Sequence, residues 1–148
     1  MTTLFAFLHH LAAFTLVSAL AIELMLIHQK LNVANIRRLL MVDAILGASA
    51  GILLVVGLLR VFMFGKGGEY YFSSLAFIVK LGIFIGVASL SLMPTLEFRS
   101  WRKALRAGEM PVIAERRLRM IQGTIHGELM AIVVILLCAA IMARGGWV

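Results

Sequence analysis

Residues 70–96 read YYFSSLAFIVKLGIFIGVASLSLMPTL, and in this stretch Lys80 is the only charge, with Glu69 and Glu97 just outside it. A helix of that length, rising 1.5 Å per residue, crosses the roughly 30 Å of hydrocarbon in a bilayer. Lipid offers the backbone no partners, so a helix is the open-ended element that can satisfy its own N–H and C=O groups there. Three similar stretches flank it. Residues 4–27 are interrupted only by His9, His10 and Glu23 and end at His28-Gln29-Lys30. Residues 39–64 carry Asp43 near the start and Arg60 near the end, and residues 120–143 carry His126 and Glu128 in their first half. The expected fold is therefore all-α, a four-helix transmembrane bundle forming a single integral membrane domain.

Composition agrees. Of 148 residues, 62% are hydrophobic and 14% charged, and the mean hydropathy is +1.03. That is too apolar for a soluble domain of this size. The net charge of +7, from 14 Lys+Arg against 7 Asp+Glu, would suggest nucleic acid in a soluble protein. Here the basic residues gather in connecting loops, which points to topology and anionic lipid, with no nucleic acid. The single Cys138 lies in an apolar run and is expected to pack as a small hydrophobe. No Lys or Arg precedes Lys30, so the first span lacks the basic region of a cleaved signal peptide and is expected to be retained.

Lys30, Arg37 and Arg38 lie in or beside the first connection. Arg99, Arg102, Lys103, Arg106, Arg116, Arg117 and Arg119 lie in or beside the third. The second connection offers Lys66, with Arg60 at its border. The excess of positive charge places loops one and three in the cytoplasm and both termini in the periplasm. Trp101 and Trp147 suit an interfacial aromatic belt. Gly47-x-x-x-Gly51 and Gly82-x-x-x-Gly86 mark close helix packing, either within the chain or at a homo-oligomer seam.

Ionisable side chains at bilayer depth are costly and mostly face the protein interior, so each is a functional candidate. They fall into two groups by depth. Near the outer side lie His9, His10, Lys80 and Arg60, with Tyr70 and Tyr71 close by. No acid within the membrane neutralises this set. It invites an anionic or metal-bearing ligand, with His9, His10 and Lys80 as candidate metal ligands. Near the inner side lie Glu23, Asp43, His126 and Glu128. This group mixes signs and can neutralise itself, an ion pair of Glu23 with Arg37 or Arg38 being one route. Asp43 and Arg60 sit near helix ends, where snorkelling or a salt bridge is the bland alternative.

Helical geometry sharpens the grouping. At about 100° per residue, His9 and Glu23 lie within about 40° of one stripe, His10 points about 100° from His9, and His126 and Glu128 diverge by about 160°. Lys80 shares its face with Ser73, Val87 and Ser91, while Gly82 and Gly86 look nearly the opposite way.

The string Phe7-Leu8-His9-His10, Glu23, Arg38 with Asp43 and Gly47, Gly57-Leu-Leu-Arg60, Tyr70-Tyr71, Lys80-Leu81, Pro94-Thr95 with Trp101-Arg102, and His126-Gly-Glu128 resembles a family of small bacterial inner-membrane proteins, domain of unknown function 2214. The resemblance covers essentially the whole chain and implies four spans in a bacterial inner membrane. More distantly, Leu8-His9 in the first span and Lys80-Leu81 in the third are similar to HemJ-type protoporphyrinogen oxidases, four-helix proteins that this likeness implies bind haem b through such a His and Lys. The chain lacks that family's aromatic and Pro-Arg residues further along the first span and its Asn-Glu-x-Pro in the fourth.

Three readings follow. The first is a b-type haem membrane protein with a redox role, its haem in the outer half of the bundle. Arg60, Lys66, Tyr70 and Tyr71 would meet the propionates, and a quinone or electron-transfer protein would be the partner. The second is a small proton or cation transporter or channel component working through His9, Glu23, Asp43, His126 and Glu128. The third is a cofactor-free accessory subunit of a membrane complex.

Overall fold

The computed structural model describes residues 2–64 and 68–144. Five α-helices follow one another: α1 (Thr2–Ile27), α2 (Val33–Leu59), α3 (Gly68–Phe72), α4 (Leu75–Arg106) and α5 (Glu115–Ala143), with a π-helical turn at Arg60–Phe64 continuing α2. Among the described residues, four of these helices are long and apolar enough to cross a membrane. Lys66 and Trp147 lie outside the described residues.

Local chemistry sets the helix ends. Asn32 caps α2, its side-chain oxygen accepting from the Asn35 N–H at 2.8 Å, which satisfies one of the donors a helix start leaves free. Gly108 closes α4 at φ 77°. There the Glu109 N–H donates to the Ala104 carbonyl at 3.0 Å and the Gly108 N–H to that of Leu105 at 3.2 Å, the crossed pair of a Schellman ending. The sequence predicts an unbroken third span from residue 70, but the chain turns at Ser73-Ser74 instead. The Ser73 hydroxyl donates to the Tyr70 carbonyl at 2.9 Å, the local competition by which serine ends a helix. Tyr70 and Tyr71 therefore stand on α3, a separate short element, and the spanning helix begins at Leu75.

The helices form a ring of neighbours. α1 packs most extensively on α2 and α4 on α5, each pair a hairpin; α1 also meets α5, and α2 meets α4, while across the two diagonals the backbones do not approach closely among the described residues. Both described termini fall at one end, here called the terminal end, and the charged connections at the other, the basic end. At the basic end α4 and α5 run past the expected limits of their spans, to Arg106 and from Glu115. The basic residues of the third connection thus ride on a helical hairpin extension.

The core lies toward the basic end, where Leu20, Ile27, Ile36, Leu39, Phe98, Trp101, Ile121 and Ile125 are buried. This corrects the expectation for Trp101. It is 1% exposed and its ring lies 5.0 Å from that of Phe98, so it is a core residue and not part of an interfacial belt. Of the two readings of the glycine pairs, the one within the chain fails. A Cβ added at Gly47, Gly51, Gly82 or Gly86 would meet nothing within 4 Å, so neither pair is a seam between helices of this chain.

Candidate functional site

The acids of the basic half converge at the centre of the bundle. Glu23 of α1 is 1% exposed and Glu128 of α5 is 2% exposed, and Asp43 of α2 is half-buried. Glu23 lies within electrostatic reach of both Asp43 and Glu128. α4 supplies the donors. The Ser91 hydroxyl donates to Glu128 Oε1 at 2.8 Å and the Thr95 hydroxyl to Asp43 Oδ1 at 2.7 Å. Ser91 and Thr95 are one turn apart, so one face of α4 serves two acids on two other helices. All four spanning helices thus contribute to a single polar centre.

Glu23 differs from its neighbours, because its Oε2 is buried without a hydrogen-bond partner. The pairing with Arg37 or Arg38 does not form, since both arginines are exposed and Arg38 bonds to Asn35 Oδ1 at 3.5 Å. The ion pairs among the described residues, Arg117 with Glu97 and Arg119 with Glu115, leave the three acids untouched. The mixed-sign group expected here is instead an acid centre with hydroxyl donors. Arg99 and Arg102 act on Asp43 only from a distance.

His126 does not join the acids. It is exposed, on the far side of α5 from Glu128 as the helical angle requires. Its Nδ1–H donates to the Gln122 carbonyl at 2.9 Å, and its ring stands 5.8 Å from that of His28.

The basic groups of the terminal half also gather. His9 is half-buried, with its ring against α2 where Gly57 leaves room. A Cβ at Gly57 would lie 3.3 Å from His9 Cε1 and 3.6 Å from its Nδ1, and that Nδ1 is buried without a partner. His9 lies within electrostatic reach of Arg60, Lys80 and His10. The Lys80 ammonium sits 5.5 Å from the centre of the Phe77 ring, against which Tyr71 lies tilted at 5.5 Å; Tyr70 meets Tyr71 edge to face at 5.4 Å. His10 looks outward, its Nδ1–H donating to the Ala6 carbonyl at 2.6 Å. The structure therefore separates the tandem histidines, bringing His9 to Arg60 and Lys80 and leaving His10 exposed. The π-helical turn beginning at Arg60 adjoins this cluster, a position that such turns often take at functional sites.

His9 and Glu23 are 14 residues apart on α1, or about 21 Å along the axis. Between them lie buried Leu16, Ala19 and Leu20, in one apolar cluster with Leu46 of α2, with buried Ser49 as the polar exception. The two polar centres are thus separated by an apolar layer. Sequence reasoning missed Thr95 and His28. Ser91 was visible only as a neighbour of Lys80 on one helix face.

A family model described as predicted membrane protein (DUF2214) matches residues 1–146, and the chain belongs to that family. No curated protein and no solved structure matches it.

Proposed function

We propose that this DUF2214 chain is a proton-handling membrane component in which Glu23, Asp43 and Glu128 hold and release protons at the core of the bundle. One observation carries the reading: the buried Glu23 carboxyl, with Oε2 unpartnered, faces two further acids and no paired base. An uncompensated charge in hydrocarbon is expensive, and a proton is the simplest counter-ion such a site can take. Among the described residues the three acids do not form a group that could hold a metal ion. The positive-inside rule makes the basic end cytoplasmic, so protons exchange from that side. Passage to His9 requires water to enter the apolar layer around Leu16 and Leu20. Proteoliposomes holding the full chain should then show flux driven by a pH gradient. Glu23→Gln should cut it on the order of 100-fold, as loss of a proton-transfer group does, with helicity unchanged. Wild-type liposomes no leakier than empty ones would overturn the reading.

A second reading rests on the other centre. His9, with its buried unpartnered Nδ1, and Lys80 and Arg60 within its electrostatic reach, supply the donor set for a b-type haem in the terminal half. His9 and Lys80 would be the residues to hold the iron, and Arg60 would pair with the carboxylates of the group. The likeness to HemJ-type proteins, carried by Leu8-His9 and Lys80-Leu81, supports it. The haem would supply one-electron redox chemistry, with a quinone or protein partner exchanging the electrons. Protein made with ample haem should show a Soret band that His9→Ala or Lys80→Ala shifts or abolishes, and a colourless, folded preparation would exclude it.

A further inference from the structure

We infer that His28 and His126 form a two-histidine site for a late first-row divalent transition-metal ion where α1 meets α5 at the basic end. Neither residue belongs to the acid centre or to the His9 cluster. Both side chains are exposed, and both are held in the same way: Nδ1 of His28 lies 2.8 Å from the Leu24 carbonyl and Nδ1 of His126 lies 2.9 Å from that of Gln122. A carbonyl oxygen only accepts, so the neutral ring carries its hydrogen on Nδ1 and keeps the Nε2 lone pair. That is how a backbone carbonyl prepares imidazole as a ligand.

The spacing fits. Two imidazoles sharing one ion at about 2.1 Å set their ring centres roughly 5 to 6.5 Å apart, depending on the angle at the metal, and the observed separation is 5.8 Å with the rings nearly perpendicular. An edge-to-face aromatic contact would give a similar separation, so the experiment must tell the two apart. A second observation fixes the register at this level. Gln122, one turn before His126, donates from Nε2 to the carbonyl of Ile27, the residue before His28, at 3.3 Å. Imidazole suits zinc, copper and nickel.

Zinc titrated calorimetrically into the full chain in lipid nanodiscs tests the site. Wild type should show one tight binding event, and His28→Ala and His126→Ala should each weaken it about tenfold or more. The double variant should lose no more than either single one, because one shared ion is lost in all three. His126→Cys should restore binding, since thiolate is also a zinc ligand. Both positions are exposed, so folding is retained, and unchanged helicity verifies it. Wild-type binding no tighter than that of the double variant, or two independent losses that add, would overturn the site and leave only an aromatic contact.

Discussion

At the scale of single residues, the acid centre depends on two hydroxyls. Ser91→Ala and Thr95→Val each remove a donor to a carboxylate while leaving the helix surface nearly the same shape. Hydrogen bonds between membrane helices average about 0.6 kcal/mol and reach about 1.7. Each substitution should therefore lower stability by about 1 kcal/mol in reversible unfolding from bicelles, and a neutral result for both would mean that the acids find other partners. Gly57 supplies a second comparison. Alanine in a helix gains roughly 0.5–1 kcal/mol over glycine, and at Gly82 that gain comes freely because no atom lies within 4 Å of the added carbon. At Gly57 the same carbon meets His9 at 3.3 Å. Gly57→Ala should thus fall about 1 kcal/mol short of Gly82→Ala in the same measurement, and it should also move the His9 ring resonances.

At the scale of elements, the helix ends were only partly legible. The lengths of the spans came from counting apolar residues. The helical hairpin extension beyond residue 96 and before residue 120 did not, because charged residues make good helix once the chain leaves lipid. Gly108 ends α4 at φ 77°, a conformation in which a side chain is strained. Gly108→Ala should cost about 1 kcal/mol and lower the unfolding temperature, whereas Gly123→Ala, within α5, should not. The break before α4 was hidden for a related reason. Serine is a weak helix breaker in general, and the turn at Ser73-Ser74 forms because the Ser73 hydroxyl takes the Tyr70 carbonyl.

At the scale of the whole molecule, the charge distribution predicts an orientation. Ten Lys and Arg residues lie in or beside the first and third connections, against Arg60 and Lys66 for the second. Reporter fusions after Ile27 and after Leu96 should read cytoplasmic and a fusion at Val148 periplasmic. A cytoplasmic C-terminus would turn the bundle over and give the acid centre to the opposite compartment. Orientation also bears on the histidine pair. An ion held by His28 and His126 would brace α1 and α5, the helices that carry Glu23 and Glu128, so added zinc should slow proton flux, and His28→Ala should relieve the effect.

By itself the sequence determined that the chain is all-helical and crosses the membrane four times, because hydrocarbon leaves the backbone no other open-ended solution. It also separated the ionisable groups into two depths, since depth follows from position along a helix. Only the tertiary structure decided which groups meet. In a soluble bundle an apolar stripe marks the core face, but lipid is as apolar as a core, so hydropathy does not show which way each helix is turned. Trp101 went inward and the glycine pairs outward for that reason. His126 and Glu128, two residues apart, went to opposite sides of α5. The rotation of α4 that brings Ser91 to Glu128 and Thr95 to Asp43 is set by packing against its neighbours, and that rotation makes four separate spans into one polar centre.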